Sequence, residues 1–429
     1  MKEKFIKSTI ILVIGGLLTK VLGMVIRIVT TRIIGLNGIG LYMMIMPTYG
    51  LFITIATLSL PIAISKLVSE NTRNNKNVIL GIIPIAMIIN IILVISLILS
   101  SNFISSTLLQ NKDLYTPILA MSITLPFITL SNIIRGYFFG KEKMIPHVTS
   151  NIIEQVIRIF MIVLITPHLL KHGIISAVTG IILYNVISEL ISTIILIFFI
   201  PKNIKITKKD IIPDYDNVKD IFKISIPTTA GRIISAIGVF LEPIIITYVL
   251  LKIGYTNTAI TNEYGIITGY VFPMVMMPQF LSAAISNALL PTISKYHASG
   301  NNKQIKRKLY QAISISLIIG LFFTVIFVLF PKEVLKLMFN ESYGTNYLIY
   351  AAPIFLITYI EGPILSTLQA TNNANVIMKS SIIGLFIKTI ILFITLFLNI
   401  KMYPLLIATF IQYSVITIYQ YKKIKKVLI

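Results

Sequence analysis

Two cations stand inside the first apolar stretch of the chain, roughly residues 6–34. Lys20 and Arg27 are about two helical turns apart, so a helix places them on one face. Gly16 and Gly23 fall on the same stripe and leave space beside the cations. A cation near the centre of a bilayer costs about 2.5–3.5 kcal/mol on insertion scales. The stripe therefore predicts a polar cavity or a set of ion partners within the membrane.

The sign of this charge predicts an anionic ligand. Arginine binds phosphate through two parallel hydrogen bonds, and lysine binds it as a point charge. A seventh apolar stretch adds Arg232, which shares a helical face with Ser225, Thr228 and Glu242. We therefore expect Lys20, Arg27 and Arg232 to bind a phosphate-bearing substrate. The alternative is that these cations form structural ion pairs with acids such as Glu242, and the sequence leaves both open.

The other charges within apolar stretches divide by their spacing. Glu154 and Arg158 are one turn apart with the acid first, which favours an ion pair along one helix. Arg135 lies near the end of its stretch, from where its side chain could extend towards the membrane surface. Glu189 and Glu361 are lone carboxylates, either protonated, paired with another helix, or part of a proton or cation route. Lys388 could equally pair with such a carboxylate.

Several function classes are excluded by composition. The chain has no cysteine, and its four histidines are scattered near the ends of apolar stretches, so we expect no metal site and no thiolate chemistry. It has no glycine-rich phosphate loop of the Walker type and no Ser-His-Asp arrangement, so we expect neither enzyme nor cofactor. The net charge of +22 comes from short loops between apolar runs, a distribution that indicates membrane topology and contact with lipids rather than nucleic acid.

The elements that must position these residues are membrane-spanning helices. The chain has 429 residues, of which 56% are hydrophobic and 12% charged, against about 25% charged in soluble domains. This composition predicts an all-α polytopic membrane protein with about twelve transmembrane helices. The stretches fall at approximately 6–34, 41–65, 78–100, 114–139, 148–167, 174–200, 223–250, 264–291, 309–330, 346–369, 377–398 and 402–421. The first lacks a small-residue cleavage site, so we expect it to be retained.

Loop charges predict the topology. With the N-terminus inside, inner loops carry about 23 Lys and Arg and outer loops about 6. This bias places both termini in the cytoplasm and the protein in the cytoplasmic membrane. The longest connection, 201–222, lies near the middle of the chain and is predicted to link two six-helix lobes, 1–200 and 223–429.

The two predicted lobes look like repeats. The second stretch contains Leu60-Pro61 followed by Ser65-Lys66, and the eighth contains Leu290-Pro291 followed by Ser294-Lys295. The matched features come in the same order in each half, and six spans per half preserve the topology. This arrangement is typical of a parallel repeat about an axis along the membrane normal.

A further motif carries a resemblance to a known family. The run from Arg135 to Lys141 reads RGYFFGK and includes Gly136 and Gly140, with Pro146 following shortly after. Together with the run TKVLG that contains Lys20, it resembles the polysaccharide-transporter branch of the multidrug/oligosaccharidyl-lipid/polysaccharide exporter superfamily. The resemblance covers essentially the whole chain.

The resemblance implies two six-helix lobes with the first, second, seventh and eighth spans lining a central cavity. It implies alternating access that moves a lipid-linked saccharide, here an undecaprenyl-pyrophosphate-linked precursor, for spore cortex or cell-wall synthesis, with cell-wall synthesis proteins as possible partners. Related lipid II flippases carry two further terminal spans and a basic first span. Lys20 falls where that group has an arginine, whereas Arg27 lies one position off its second cation.

Two rival functions are weighed against this one. A cation-coupled multidrug antiporter of the same fold would need a carboxylate in the first-half cavity, and Glu154 and Glu189 are the acids available in those spans. A scaffold that only recruits cell-wall enzymes would have no need of cations inside its spans.

Overall fold

The computed structural model describes residues 2–70, 74–200, 210 and 212–427. Within these ranges the chain is all-α, as its composition predicts, and contains no strand. The first seven helices are α1 Lys2–Thr57, α2 Leu60–Glu70, α3 Asn75–Asn102, α4 Tyr115–Gly140, α5 Met144–Leu170, α6 Ile174–Phe198 and α7 Tyr215–Lys252. The next eight are α8 Asn257–Gly265, α9 Phe272–Met276, α10 Gln279–Ala298, α11 Asn302–Leu329, α12 Pro331–Phe339, α13 Thr345–Ala370, α14 Ala374–Leu396 and α15 Tyr403–Val427.

Helix α1 is bent at Gly35, where φ is 65° and ψ is −167°. Only glycine adopts this backbone conformation without strain. The apolar segment Ile14–Glu70 has 57 residues, which as a straight helix would extend about 85 Å, against about 30 Å for the hydrocarbon core. The segment is therefore long enough for two crossings, in agreement with separate predicted spans at 6–34 and 41–65.

Nine helices of the described ranges are long and apolar enough to cross a membrane, or ten if the bent pair Asn257–Met276 and Gln279–Ala298 is one span. The two parts of that pair meet at 48°. Helix α15 is not among them, and its last turns carry four lysines. Twelve crossings are consistent with these helices, since the first segment has room for two, but the number stays a prediction.

Contacts divide the chain into two compact units, Met1–Phe240 (unit 1) and Leu241–Ile429 (unit 2). The division falls inside α7, and α7 itself begins at Tyr215, within the stretch 201–222 that the sequence predicts as a linker. The first half of α7 is held in unit 1, where Ile221 is buried with residues of α2, α3 and α4. The Thr229 hydroxyl also donates to Ser59 Oγ at 3.1 Å.

The matched Leu-Pro pairs occupy different places in their helices. Pro61 lies in the first turn of α2, directly after the break at Leu58 and Ser59, which both have positive φ. Pro291 lies well inside α10, far from the break that precedes Gln279. The similarity of the two halves along the chain therefore does not extend to the positions of these breaks.

The motif glycines allow α4 to approach α2 closely. A Cβ on Gly140 would stand 2.7 Å from the Ser65 carbonyl oxygen and 2.6 Å from Val68 Cβ. A Cβ on Gly136 would stand 2.9 Å from Pro61 Cα. These distances are shorter than van der Waals contact, so the two helices pack backbone to backbone here. Pro146, also in the motif, lies in the first turn of α5, where a missing N–H is tolerated.

We expect Gly140→Ala to lower the free energy of unfolding by about 1–3 kcal/mol, because the added methyl meets backbone that cannot rotate away. The matched control is Gly50→Ala in α1, where a Cβ meets nothing within 4 Å. Apparent melting temperatures of the two purified variants in detergent measure the difference. Equal melting temperatures would contradict the close packing of α4 on α2.

Candidate functional site

Unit 1 contains a buried ion network between α4, α5 and α6. The Arg135 guanidinium, on α4, donates to Glu154 Oε2 at 2.7 Å and to Ser192 Oγ at 2.9 Å. It also lies 3.4 Å from Glu189 Oε2. The Arg135 side chain is 12% exposed, so it binds acids inside the unit and does not extend to the membrane surface, as its position near a span end would have allowed.

A second arginine completes the network. Arg158 Nη2 donates to Glu154 Oε1 at 2.7 Å and to Ser188 Oγ at 3.3 Å. The Ser131 hydroxyl donates to Glu189 Oε2 at 2.6 Å. Two arginines thus face two carboxylates, and the network is formally neutral. Because its charges bind each other, the network ties three helices together and offers no unpaired charge to a substrate.

Sequence reasoning paired Glu154 with Arg158 but left Glu189 among several alternatives. The structure selects pairing for Glu189, with an arginine from another helix and a serine. The serines of the network were missed. A signal existed on α6, because Ser188 and Ser192 are one helical turn apart and lie on either side of Glu189 in the sequence.

Unit 2 has a separate ion pair. Lys388 Nζ on α14 lies 2.5 Å from Glu242 Oε2 on α7, and the Tyr264 hydroxyl donates to Glu242 Oε1 at 3.1 Å. Glu242 is therefore bound by Lys388, whereas the sequence offered Lys20, Arg27 and Arg232 as its possible partners. The side chains of Lys388 and Glu242 are 16% and 10% exposed, so both charges are largely withdrawn from solvent.

Glu361 differs from the other acids of the spans. It lies in the middle of α13, half-buried, and has neither a hydrogen bond nor an ion pair within the described part of the chain. The following residue, Gly362, packs against Ser286 of α10, because a Cβ there would stand 2.6 Å from Ser286 Oγ. Glu361 therefore lies on a tightly packed helix, but no described side chain binds its carboxylate.

The stripe on α1 faces open space within unit 1. Lys20 is exposed, and a Cβ at Gly16 or Gly23 would meet nothing within 4 Å. Arg27 is half-buried, and its Nη2 lies 3.0 Å from Met43 Sδ beyond the bend at Gly35. The glycines therefore serve here as open surface rather than as a helix contact.

Arg232 is also exposed and stands on α7, about one turn beyond Thr229. The bond from Thr229 to Ser59 fixes this part of α7 against the break between α1 and α2. The three cations predicted to bind substrate thus stand on two helices of unit 1, outside the neutral network. No group of three or more His, Asp or Glu side chains within the described ranges is placed to hold a metal ion.

Comparisons with known proteins agree with the fold. A profile of the polysaccharide biosynthesis protein family matches residues 5–297, and a MatE profile matches residues 233–394. The chain is 34% identical over 404 residues to stage V sporulation protein B of Bacillus subtilis (strain 168), covering 92% of this chain and 78% of that protein.

Two solved structures share the architecture. An inward-facing multidrug resistance MATE family transporter of the MOP superfamily superposes with a TM-score of 0.73 at 14% identity, covering 96% of this chain and 94% of the other. The lipid II flippase MurJ, in an inward closed conformation, superposes with a TM-score of 0.71 at 17% identity, covering 96% and 87%. At these identities the two likenesses establish the fold.

Proposed function

Because this chain belongs to the polysaccharide-transporter branch of the multidrug/oligosaccharidyl-lipid/polysaccharide exporter superfamily, we propose that it is a flippase for a lipid-pyrophosphate-linked saccharide or peptidoglycan precursor. It is a multi-pass membrane transporter and not an enzyme, like the relatives that it resembles. The movement is by alternating access, in which a site opens to one side of the membrane and then to the other.

One observation carries the assignment of an anionic cargo. Arg135, Arg158 and Lys388 all have acidic partners. Lys20 and Arg232 are exposed and have no acidic partner among the residues that the structure describes. Cations on membrane-spanning helices are costly unless they face water or a ligand. A pyrophosphate group supplies the charge that these two cations, together with Arg27, would bind.

The setting of this transport is part of the proposal. The excess of Lys and Arg on alternate loops supports a location in the cytoplasmic membrane, with both termini in the cytoplasm. The similarity to a sporulation protein supports a role in sporulation. We extend this proposal to spore cortex or cell-wall synthesis, with an undecaprenyl-linked precursor as the cargo and cell-wall synthesis proteins as partners. Membrane lipids surround the helices as solvent.

A cation-coupled multidrug antiporter of the same fold is the weaker alternative. The MatE profile and the superposition on a MATE transporter show that the architecture is shared. Such a pump would need an available carboxylate in the first unit, yet Glu154 and Glu189 are both bound by arginine there. Two observations argue against a scaffold without transport. Lys20 and Arg232 are exposed on helices of the protein, and the chain belongs to a family of transporters.

We expect Lys20→Ala and Arg232→Ala to lower the rate of flipping at least about tenfold, because a charge-assisted hydrogen bond contributes about 1.5–3 kcal/mol. The assay uses the full chain in proteoliposomes with a fluorescent undecaprenyl-pyrophosphate disaccharide, whose exposure is read by a membrane-impermeant quencher. Lys20→Arg keeps the charge and is expected to retain most of the rate.

The matched control is Lys401→Ala, which removes an exposed cation outside the helices. A Lys20→Ala, Arg27→Ala double variant with the full rate of flipping would exclude the cation stripe as the pyrophosphate site. A deletion strain identifies the cargo itself, because the lipid-linked species that accumulates on the cytoplasmic side is the one left untransported.

A further inference from the structure

We propose that one end of unit 2 is a binding surface for the headgroups of anionic phospholipids. This surface, here the basic platform, combines the first turns of α11 with the last turns of α15. Its eight cations are Lys303, Lys306, Arg307, Lys308, Lys422, Lys423, Lys425 and Lys426. The inference requires only that the helices lie in a membrane and does not depend on the identity of the transported cargo.

Packing brings two distant segments of the chain together at this end. Leu309 of α11 and Ile424 of α15 are 1% and 3% exposed and are buried in one cluster with Ile364 and Leu368 of α13. On the neighbouring surface, the hydroxyls of Tyr310 and Tyr421 are hydrogen-bonded at 2.8 Å. The basic ends of the two helices are therefore neighbours in the folded unit.

The cations of the platform point away from this cluster. Seven of the eight side chains are exposed, and Lys308 is half-buried and donates to Gln311 Oε1 at 3.1 Å. Neither stretch, 299–312 or 413–429, contains an aspartate or glutamate. None of the eight has an acidic partner in the part of the chain that the structure describes. The positive charge is therefore unneutralised.

Two cations on α2 and α3 of unit 1, by contrast, have acidic partners. Lys76 Nζ lies 2.5 Å from Asp210 Oδ2, and Lys66 Nζ lies 4.0 Å from Glu70 Oε1 in the preceding helix. Asp210 belongs to the stretch that precedes α7, so this acid returns to the start of α3. A role in topology alone requires cations on one side of the membrane, but it does not require eight of them to converge without acids.

The position of the platform favours lipid over protein as the ligand. The cations of α11 stand at the start of a helix that is long and apolar enough to cross a membrane, and those of α15 follow its apolar run at the same end of the unit. We therefore place them at the depth of the phosphate groups. Tyr310 and Tyr421 stand at the same level, where amphipathic rings are favoured. Each Lys or Arg beside an anionic membrane surface contributes roughly 1 kcal/mol of attraction. With the predicted topology, the ligands are anionic phospholipids of the cytoplasmic leaflet.

The test compares lipid binding by the full-length protein and two quadruple variants. One variant is K422Q/K423Q/K425Q/K426Q, and the other is K303Q/K306Q/R307Q/K308Q. Phosphatidylglycerol or phosphatidylcholine is titrated into the detergent-solubilised protein, and native mass spectrometry counts the bound lipids. We expect each variant to bind phosphatidylglycerol at least about tenfold more weakly than the parent and phosphatidylcholine equally. Salt near 1 M, where the Debye length is about 3 Å, should reduce the preference of the parent.

The control removes the same number of charges from elsewhere, as K252Q/K332Q/K336Q/K401Q, all of which are exposed. This variant is expected to stay within about twofold of the parent, and a Lys-to-Arg version of the α15 variant should keep full binding. Equal losses in the control and the platform variants would overturn the proposal in favour of diffuse net charge. Unchanged binding of phosphatidylglycerol in both platform variants would overturn it in favour of a ligand other than lipid.

Discussion

Replacing Arg135 with methionine is expected to lower the free energy of unfolding by about 3–5 kcal/mol, the cost of removing one member of a buried ion pair. Arg135 binds Glu154, Glu189 and Ser192, and without it two carboxylates share the interior with Arg158 alone. Glu154 and Glu189 are 5% and 7% exposed, so water cannot replace the lost guanidinium. Apparent melting temperature in detergent measures the loss.

Arg158→Met is the matched control for Arg135→Met. Within the described residues its side chain, at 19% exposed, binds Glu154 and Ser188, and Arg135 still binds both acids in the variant. We expect a smaller loss of about 1.5–3 kcal/mol. The double variant Arg135→Met, Glu189→Gln should recover more than half of the loss, because Glu154 keeps Arg158 and the amide that replaces the Glu189 carboxylate carries no charge. Equal losses for the two arginines would show that the network does not centre on Arg135.

The presence of the helices could be predicted from the apolar stretches of the sequence, but the residues at which some of them begin and end could not. The stretch predicted at 174–200 is observed as α6 Ile174–Phe198, and the one at 78–100 as α3 Asn75–Asn102. Helix α7 begins earlier than its apolar run because its first turns are amphipathic. Asp216 and Lys219 lie on its surface while Ile221 is fully buried among α2, α3 and α4. The length of an apolar stretch does not predict that a helix begins with an amphipathic segment before that stretch.

Contacts within one helix are predictable from spacing, but contacts between helices are not. The turn between Glu154 and Arg158 already places their side chains together. The partners of Arg135 and Glu242 depend on which helices are neighbours, and Lys388 is 146 residues from Glu242 in the chain. The surroundings of Lys20 were predictable in part. The spacing predicts that Lys20 shares a helix face with Gly16 and Gly23, but only the structure shows that a Cβ at either glycine would meet nothing within 4 Å.

Lys388→Met is expected to destabilise the protein by about 3–5 kcal/mol, because among the described residues Glu242 would keep the Tyr264 hydroxyl alone as a partner in a largely buried site. Glu242→Gln should be destabilising as well, since it leaves the ammonium of Lys388 without its acid. The double variant Glu242→Gln, Lys388→Met removes both charges and should recover most of the stability, giving a coupling free energy of at least about 2 kcal/mol. Lys336→Met, at an exposed position on α12, controls for the loss of a lysine.

The same four variants separate a structural pair from a coupling site. If the pair only ties α7 to α14, the double variant regains flipping in proteoliposomes together with its melting temperature. If Glu242 carries a proton or cation during transport, stability returns while flipping does not, because glutamine cannot bind and release a charge. Glu361, which has neither a hydrogen bond nor an ion pair within the described ranges, is a second carboxylate of unit 2 that could take that role. Glu361→Gln in the double-variant background then decides whether any residual flipping depends on it.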